Sequence, residues 1–381
     1  MSKLKLVTII GTRPEIIRLS AIIKAADKYF DHVLVHTGQN YDYTLNQIFF
    51  KDLGLRAPDK FLSVVGENLG ETIGNIIAKS YSLLMDLNPD AVLVLGDTNS
   101  CLSIIGAKRL HIPIFHMEAG NRCFDECLPE EMNRRIVDVS SDVNMCYSEH
   151  ARRYLNASGV PKERTFVVGS PMAEVLNNNL ERIKNSDVLR RLGLAKKQYI
   201  LLSAHREENI DDVHNFMSLM NAVNAMADKY SMPILYSCHP RSKKFIEHRG
   251  FSFDKRLLQH QPLGFHDYNN LQMNAYVVVS DSGTLPEESS YFLSIEHPFP
   301  AVCIRTSTER PEAVDKGNFI LAGITTEQVL QAVDTAVEMN NNKDYGDSVP
   351  DYTDLNVSTK VVKIIQSFTS EVDRMVWRKR L

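Results

Sequence analysis

Seven short polar stretches interrupt a chain otherwise built of apolar runs: GTR at 11–13, GDT at 96–98, HMEAG at 116–120, PEEMNRR at 129–135, AHR at 204–206, HPR at 239–241 and SDSG at 280–283. Their residue types suit acid–base work on an anionic molecule. Asp97, Glu118 and Glu130 are carboxylates able to take or give a proton, His205 and His239 are imidazoles, and Arg13 and Arg18 offer fixed positive charge. Ser282 and Gly283 stand directly before LPEESSYF, and the first N–H groups of a helix there would face an anion. Glu288 follows one to two turns later, where a carboxylate accepts from neutral hydroxyls but repels phosphate. A ribose beside a pyrophosphate fits both. A cationic anchor facing several carboxylates fits a nucleotide-activated substrate undergoing acid–base chemistry.

Each residue also has a plainer reading. Asp97 and Asp281 could be helix N-caps. His116 could be a core histidine bonded to backbone. Glu130, Glu131, Arg134 and Arg135 offer i,i+4 pairs on a solvated helix, and Glu131, Arg134 and Arg135 are read that way. Glu118 resists such a reading, because it directly follows the apolar run IPIFHM and precedes a small residue and a glycine. In parallel α/β sheets that strand end is where ligands bind.

The elements that must position these groups are strands alternating with helices. KLKLVTII, DHVLVHTG, DAVLVLGD, IPIFHMEAG and TFVVGSP read as buried strands, and TRPEIIRLSAIIKAADKY as a helix with a capping box from Thr12 to Glu15 and Pro14 in its first turn. Residues 172–197 are polar and amide-rich, a connector. The pattern then restarts with QYILLSAHREENID, MPILYSCHP, YVVVSDSGTLPEE, PAVCIRTSTERPE and NFILAG. The tail VSTKVVKIIQSFTSEVDRMVW carries helical apolar spacing and reads as a docked helix. The expected architecture is α/β, two Rossmann-like domains with a cleft between them. Residues 1–171 form the first, with 358–381 docking back on it, and 198–357 form the second, nucleotide-binding one.

Several function classes recede. The net charge of −4 speaks against broad nucleic-acid or membrane-surface binding, and no apolar run approaches a membrane span. The six cysteines are scattered, as in a reduced cytoplasmic protein. No GxGxxG follows the first strand, and no GxxxxGK[ST] occurs, so dinucleotide and phosphate-loop NTPase chemistry lack their motifs. His116, Cys123 and Cys127 have irregular spacing and no fourth partner for zinc; no metal and no cofactor is expected. A glycosyltransferase survives, since two α/β domains around a nucleotide-sugar serve it equally.

Taken in order, GTRPEIIR, GDTNS, HMEAGNR, PEEMNRRIVD, AHREEN, SDSGTLPEE and STERPEA resemble the non-hydrolysing UDP-N-acetylglucosamine 2-epimerases over practically the whole chain. The resemblance implies the B-type glycosyltransferase-like fold, a homodimer, and a UDP-activated N-acetyl amino sugar as substrate. It implies Asp97, Glu118, Glu130 and His205 as catalytic groups and Arg13 and Arg18 beside the diphosphate. Ser282 and Gly283 would bind phosphate, and Glu288 the ribose. Arg18 replaces the lysine usual in its block, keeping charge but changing geometry. TGQNYD at 37–42 replaces the TGQHRE of many bacterial members, a region tied to an allosteric site, so activation by substrate is not expected. Segment 291–300, YFLSIEHPFP, is longer than the usual connection. TGQNYDY, EAGNRCFDE, REENID, LGFHDYN and NVSTKVVKIIQSF together resemble the branch that converts UDP-2-acetamido-2,6-dideoxy-L-talose to UDP-N-acetyl-L-fucosamine for capsule or O-antigen synthesis. The alternative within the family is UDP-N-acetylglucosamine to UDP-N-acetylmannosamine.

Overall fold

A computed structural model describes residues 2–39, 43–126, 128–238 and 240–379, with backbone alone at 43–47, 207–208 and 240–241. The chain divides into two compact units, 1–175 with 354–381, and 176–353. The division falls inside the helix Met172–Lys184, so the stretch read as a connector opens as regular helix rather than loose linker.

Unit 1 is built on a parallel sheet of β1 (Lys5–Ile10), β2 (Asp31–His36), β3 (Lys60–Phe61), β4 (Ala91–Leu95), β5 (Ile114–Met117), β6 (Val143–Cys146) and β7 (Thr165–Val167). The spatial order is β3-β2-β1-β4-β5-β6-β7. Its central strands are apolar end to end because helices cover both faces; every residue of β4 is buried. The helix Arg13–Tyr29 buries Ile16, Leu19, Ile22, Ile23 and Ala26. Each such large aliphatic side chain contributes roughly 1.5–3 kcal/mol when fully buried. The last helix, Val357–Met375, packs against it through unit 1, burying Val361, Val362, Ile365 and Val372. Its start is pinned where the Glu174 carboxylate accepts the Ser358 N–H at 2.8 Å and its hydroxyl at 2.5 Å.

Unit 2 repeats the plan with β8 (Ile200–Ser203), β9 (Ile234–Ser237), β10 (Leu257–His260), β11 (Val277–Ser280), β12 (Ala301–Cys303) and β13 (Ile320–Leu321), ordered β10-β9-β8-β11-β12-β13. In both units the chain runs outward from the first strand in one direction, then returns to its other side. The strand order thus reverses between β1 and β4, and between β8 and β11. Open α/β sheets bind ligands at the carboxyl ends of such reversals. The segment 291–300 completes the helix Leu285–Ser294 and then turns, with Glu296 at φ 63°, into β12. No helix among the described residues is long and apolar enough to cross a membrane.

Candidate active site

At the reversal of unit 1, Glu15 ties two loops together. Its Oε2 accepts the N–H groups of Gly11 (2.9 Å) and Thr12 (2.7 Å) after β1. Its Oε1 accepts the hydroxyls of Thr98 (3.1 Å) and Ser100 (2.5 Å) after β4. Burial pushes the Glu15 carboxyl up, against the pull of those four donor residues. The residue read as a helix cap is therefore also the strut of the reversal.

Asp97 follows β4. It does not cap the next helix, whose N-cap is Thr98. Instead the Arg134 guanidinium places Nε and Nη2 each 2.7 Å from Asp97 Oδ2. Asn133 Nδ2 donates to the Asp97 carbonyl at 2.9 Å. Arg134 is 4% exposed and Glu131 only 1%, which corrects the reading of these two as solvated decoration. Arg135 is the exposed one, at 46% of its side chain, paired with Glu126. Glu131 reaches Arg134 at 3.3 Å and accepts the Cys123 N–H at 3.2 Å. Burial would raise the Glu131 carboxyl, yet the Cys123 donors and the nearby arginines hold it below the ordinary range.

Glu118 leaves β5 in the left-handed region, at φ 63°, which costs a non-glycine residue of order 1–3 kcal/mol. The turn brings its Oε2 to 2.6 Å from Arg18 Nη1, and Asn121 Nδ2 donates to Oε1 at 3.3 Å. Arg18, expected beside a diphosphate, thus neutralises a carboxylate. Gly120, at φ 82°, must be glycine: a Cβ there would lie 2.4 Å from the Ala151 carbonyl. His116 is fully buried, with Nε2 at 2.9 Å from the Gly96 carbonyl and Nδ1 at 3.2 Å from Asp138 Oδ1. Asp138 also lies 2.7 Å from Arg122 Nη1. His116 is a core histidine, as its plainer reading had it. Glu130 is half-buried in the first turn of the helix Pro129–Ser140, and Arg13 lies 5.6 Å from the Phe49 ring centroid.

At the reversal of unit 2 the central group is Asp281. It is fully buried and caps backbone rather than a following helix: its Oδ2 accepts the N–H groups of His205 (2.8 Å) and Arg206 (2.9 Å). His205 Nδ1 lies 3.2 Å from Oδ1. Burial alone would raise the Asp281 carboxyl, but the His205 charge and these donors hold it down to about 2. Ser282 and Gly283 lead into the helix Leu285–Ser294, and the Ser282 hydroxyl accepts the Thr284 N–H at 3.3 Å. Glu288 is buried, accepting from Gln272 Nε2 at 2.6 Å and Thr284 Oγ1 at 2.8 Å. Behind Gly283, Glu309 sits 2.7 Å from Arg305 and 3.3 Å from Arg206, while Arg310 pairs with Glu287 at 2.7 Å, both buried. Sequence reasoning did not single out Glu309 or Arg310; the charged run STERPEA was their one signal. His239 and Cys127 lie outside the described residues, as do 40–42 of TGQNYD. Among the described residues no cluster of three His, Cys, Asp or Glu side chains is placed to hold a metal ion.

A family model described as UDP-N-acetylglucosamine 2-epimerase matches residues 23–366. The chain belongs to that family. A solved UDP-N-acetylglucosamine 2-epimerase from Rickettsia bellii is 48% identical, with a TM-score of 0.89 over 99% of this epimerase and 100% of that chain. The enzyme from Methanocaldococcus jannaschii, solved with UDP-GlcNAc and UDP, is 31% identical, with a TM-score of 0.88 over 96% and 100%. A Pseudomonas aeruginosa relative, UDP-2,3-diacetamido-2,3-dideoxy-D-glucuronate 2-epimerase, is 31% identical over 88% of this chain and 92% of its own. The epimerase therefore has the two-domain B-type glycosyltransferase-like fold and is a non-hydrolysing UDP-sugar 2-epimerase, an isomerase.

Proposed function

We propose that the epimerase inverts C2 of UDP-2-acetamido-2,6-dideoxy-L-talose to give UDP-N-acetyl-L-fucosamine for surface polysaccharide, by elimination and re-addition of UDP. The observation that carries the chemistry is the placing of Asp97 and Glu118 just past the carboxyl ends of the adjacent strands β4 and β5, each beside an arginine. The C2 proton of a 2-acetamido sugar is not next to a carbonyl, so no side chain removes it from the ground state. When the anomeric C–O bond breaks, its electron pair leaves with UDP, and the positive charge growing at C1 acidifies C2–H. A carboxylate then takes that proton and the C–H pair closes the C1–C2 double bond of a 2-acetamidoglycal. Reprotonation at C2 from the other face and return of the UDP oxygen to C1 give the epimer. Two acid–base groups are needed, from Asp97, Glu118 and Glu130. His205, Arg13 and Arg18 steady the departing diphosphate, while Ser282, Gly283 and Glu288 hold phosphate and ribose, with His239 among the binding groups.

The sugar rests on the motifs of the L-fucosamine branch. UDP-N-acetylglucosamine is the second reading, favoured by the names of the solved relatives. The Pseudomonas relative, at an identity matching the jannaschii enzyme, is named for a different sugar, so identity at that level does not fix the substrate. Incubation of the purified protein with each UDP-sugar in D2O, followed by proton NMR, tests both. Deuterium at C2 of an epimerised product is the expected result, with the larger kcat/KM for the 6-deoxy sugar. Retention of the C2 hydrogen, or a requirement for NAD, overturns the mechanism. Comparable kcat/KM for the two sugars leaves only the family-level reaction.

A further inference from the structure

Asp97 has one side of its carboxylate occupied and one side open. Arg134 directs Nε and Nη2 to the same oxygen, Oδ2, each at 2.7 Å. No hydrogen bond within unit 1 is made to Oδ1 among the described residues, and the Asp97 side chain keeps 17% exposure. The guanidinium is itself held. Arg134 Nη1 lies 3.3 Å from Glu131 Oε2 and 3.6 Å from Cys123 Sγ, and Asn133, its neighbour, fixes the Asp97 carbonyl at 2.9 Å. A planar fork gripped from behind fixes the plane of the carboxylate it grips. We propose that Arg134 is the positioning residue of the epimerisation: it clamps Oδ2, sets a fixed cation against Asp97, and presents Oδ1 as the atom that accepts the C2 proton.

The surroundings explain why such a clamp is needed. Burial raises the Cys101 thiol, and Glu15, reaching over from the Arg13–Tyr29 helix, Asp97, and Glu118 at the end of β5 all lie near enough to add to that rise. Arg18 neutralises Glu118, and His116 lies against the Gly96 carbonyl one residue before Asp97. Three carboxylates in one neighbourhood repel one another, and the Arg134 cation offsets that repulsion at Asp97. The inference rests on the elimination mechanism proposed above.

The experiment is the pH profile of kcat/KM for Arg134→Gln and Arg134→Lys, with UDP-sugar as substrate and C2 deuterium incorporation as the readout. Loss of a neighbouring cation raises a carboxyl pKa by about 1–3 units, so the acidic limb of Arg134→Gln moves up by that much. Its kcat falls by about 10²-fold, the usual cost of a misplaced reacting group. Arg134→Lys restores charge without the fork: its acidic limb returns toward the parent while kcat stays low. The double variant Asp97→Asn/Arg134→Gln is no slower than Asp97→Asn alone, because both changes strike one group. Should Arg134→Gln not fold, Arg134→Lys with Asp97→Asn supplies the same cycle. An unmoved acidic limb, or rate losses that multiply in the double variant, overturns the proposal. If the parent protein incorporates no deuterium at C2, the mechanism itself fails; if it does and the limb stays put, Arg134 alone loses its role.

Discussion

The two units share one strand order and one kind of reversal, yet they satisfy their buried carboxylates differently. In unit 2, Asp281 is fully buried and bonded to the backbone N–H groups of His205 and Arg206. Backbone donors cannot swing away, so that charge is a permanent strut beneath the His205–Arg206 turn. In unit 1, Asp97 and Glu118 are held by the side chains of Arg134 and Arg18. A guanidinium fork instead fixes the plane of the carboxylate it grips and leaves its other oxygen available. Backbone donors suit a carboxylate that supports a turn, and a side-chain fork suits one that must be aimed. Under the function proposed above, unit 2 holds the nucleotide and unit 1 carries the acid–base groups.

The largest expected effect breaks unit 1. Asp97→Asn, Glu118→Gln and Glu130→Gln each remove one acid–base group, worth about 10²–10⁴-fold in rate. They are expected to leave UDP affinity within a few-fold of the parent by calorimetry and, in some cases, to release glycal and UDP. If all three keep parental rates, the division of labour is wrong.

Unit 2 is expected to fail differently, in stability before rate. The folded Asp281 carboxyl stands at about 2, below its unfolded value of about 3.9. A depressed carboxyl contributes stability that is fully present above pH 4 and is lost as pH falls from about 4 to about 2. The shift corresponds to roughly 2–3 kcal/mol. Asp281→Asn is therefore expected to lower the denaturant midpoint at pH 7 and to flatten the acid limb of the stability curve. An acid limb as steep as the parent's would show that Asp281 is no strut.

The fold was largely legible because central parallel strands are apolar throughout and punctuated by polar ends. The partners of the site carboxylates were not. Arg134 is invisible as a buried residue because polar side chains share the inward face of its helix with Val137. Met132 and Val139 are exposed at 56% and 65%, whereas Asn133, Arg134 and Asp138 face inward. A reader of the sequence places the apolar residues inside and so turns that helix the wrong way. Asp281 was read as a local cap because its true partners, His205 and Arg206, stand 76 and 75 residues earlier. Glu15 announced its bond to Thr12 by spacing, but not its bond to Ser100, 85 residues away. Local spacing carries local bonds only; bonds that cross a strand reversal leave no periodic trace.

A smaller effect tests the holding site itself. The Ser282 hydroxyl accepts the Thr284 N–H and lies 3.0 Å from the Thr284 hydroxyl, so it is organised before any ligand arrives. A hydrogen bond to a charged group is worth about 1.5–3 kcal/mol, so Ser282→Ala is expected to weaken UDP binding by about 10- to 150-fold. Glu288→Ala is expected to weaken it as well, through the ribose. Unchanged affinity in both variants would move the nucleotide elsewhere.

The smallest effect concerns two neighbours. Arg134 and Arg135 are adjacent on one helix, and both reach Glu131 at 3.3 Å. Spacing alone gives them equal weight. Burial separates them: Arg135 keeps 46% side-chain exposure, and its closer partner Glu126 keeps 76%. An exposed pair of this kind is worth about 0–1 kcal/mol, since solvent screens the attraction and ordering two long side chains costs entropy. Glu131 retains Arg134 and the Cys123 N–H when Arg135 is removed, so no buried charge is stranded. Arg135→Ala is thus expected to change the denaturant midpoint by less than about 1 kcal/mol equivalent, to lose what little it contributes in high salt, and to leave kcat and its pH profile where they were. A rate loss approaching that of Arg134→Gln would mean that the outer face of this helix, with its exposed Met132 and Val139, also takes part in the reaction.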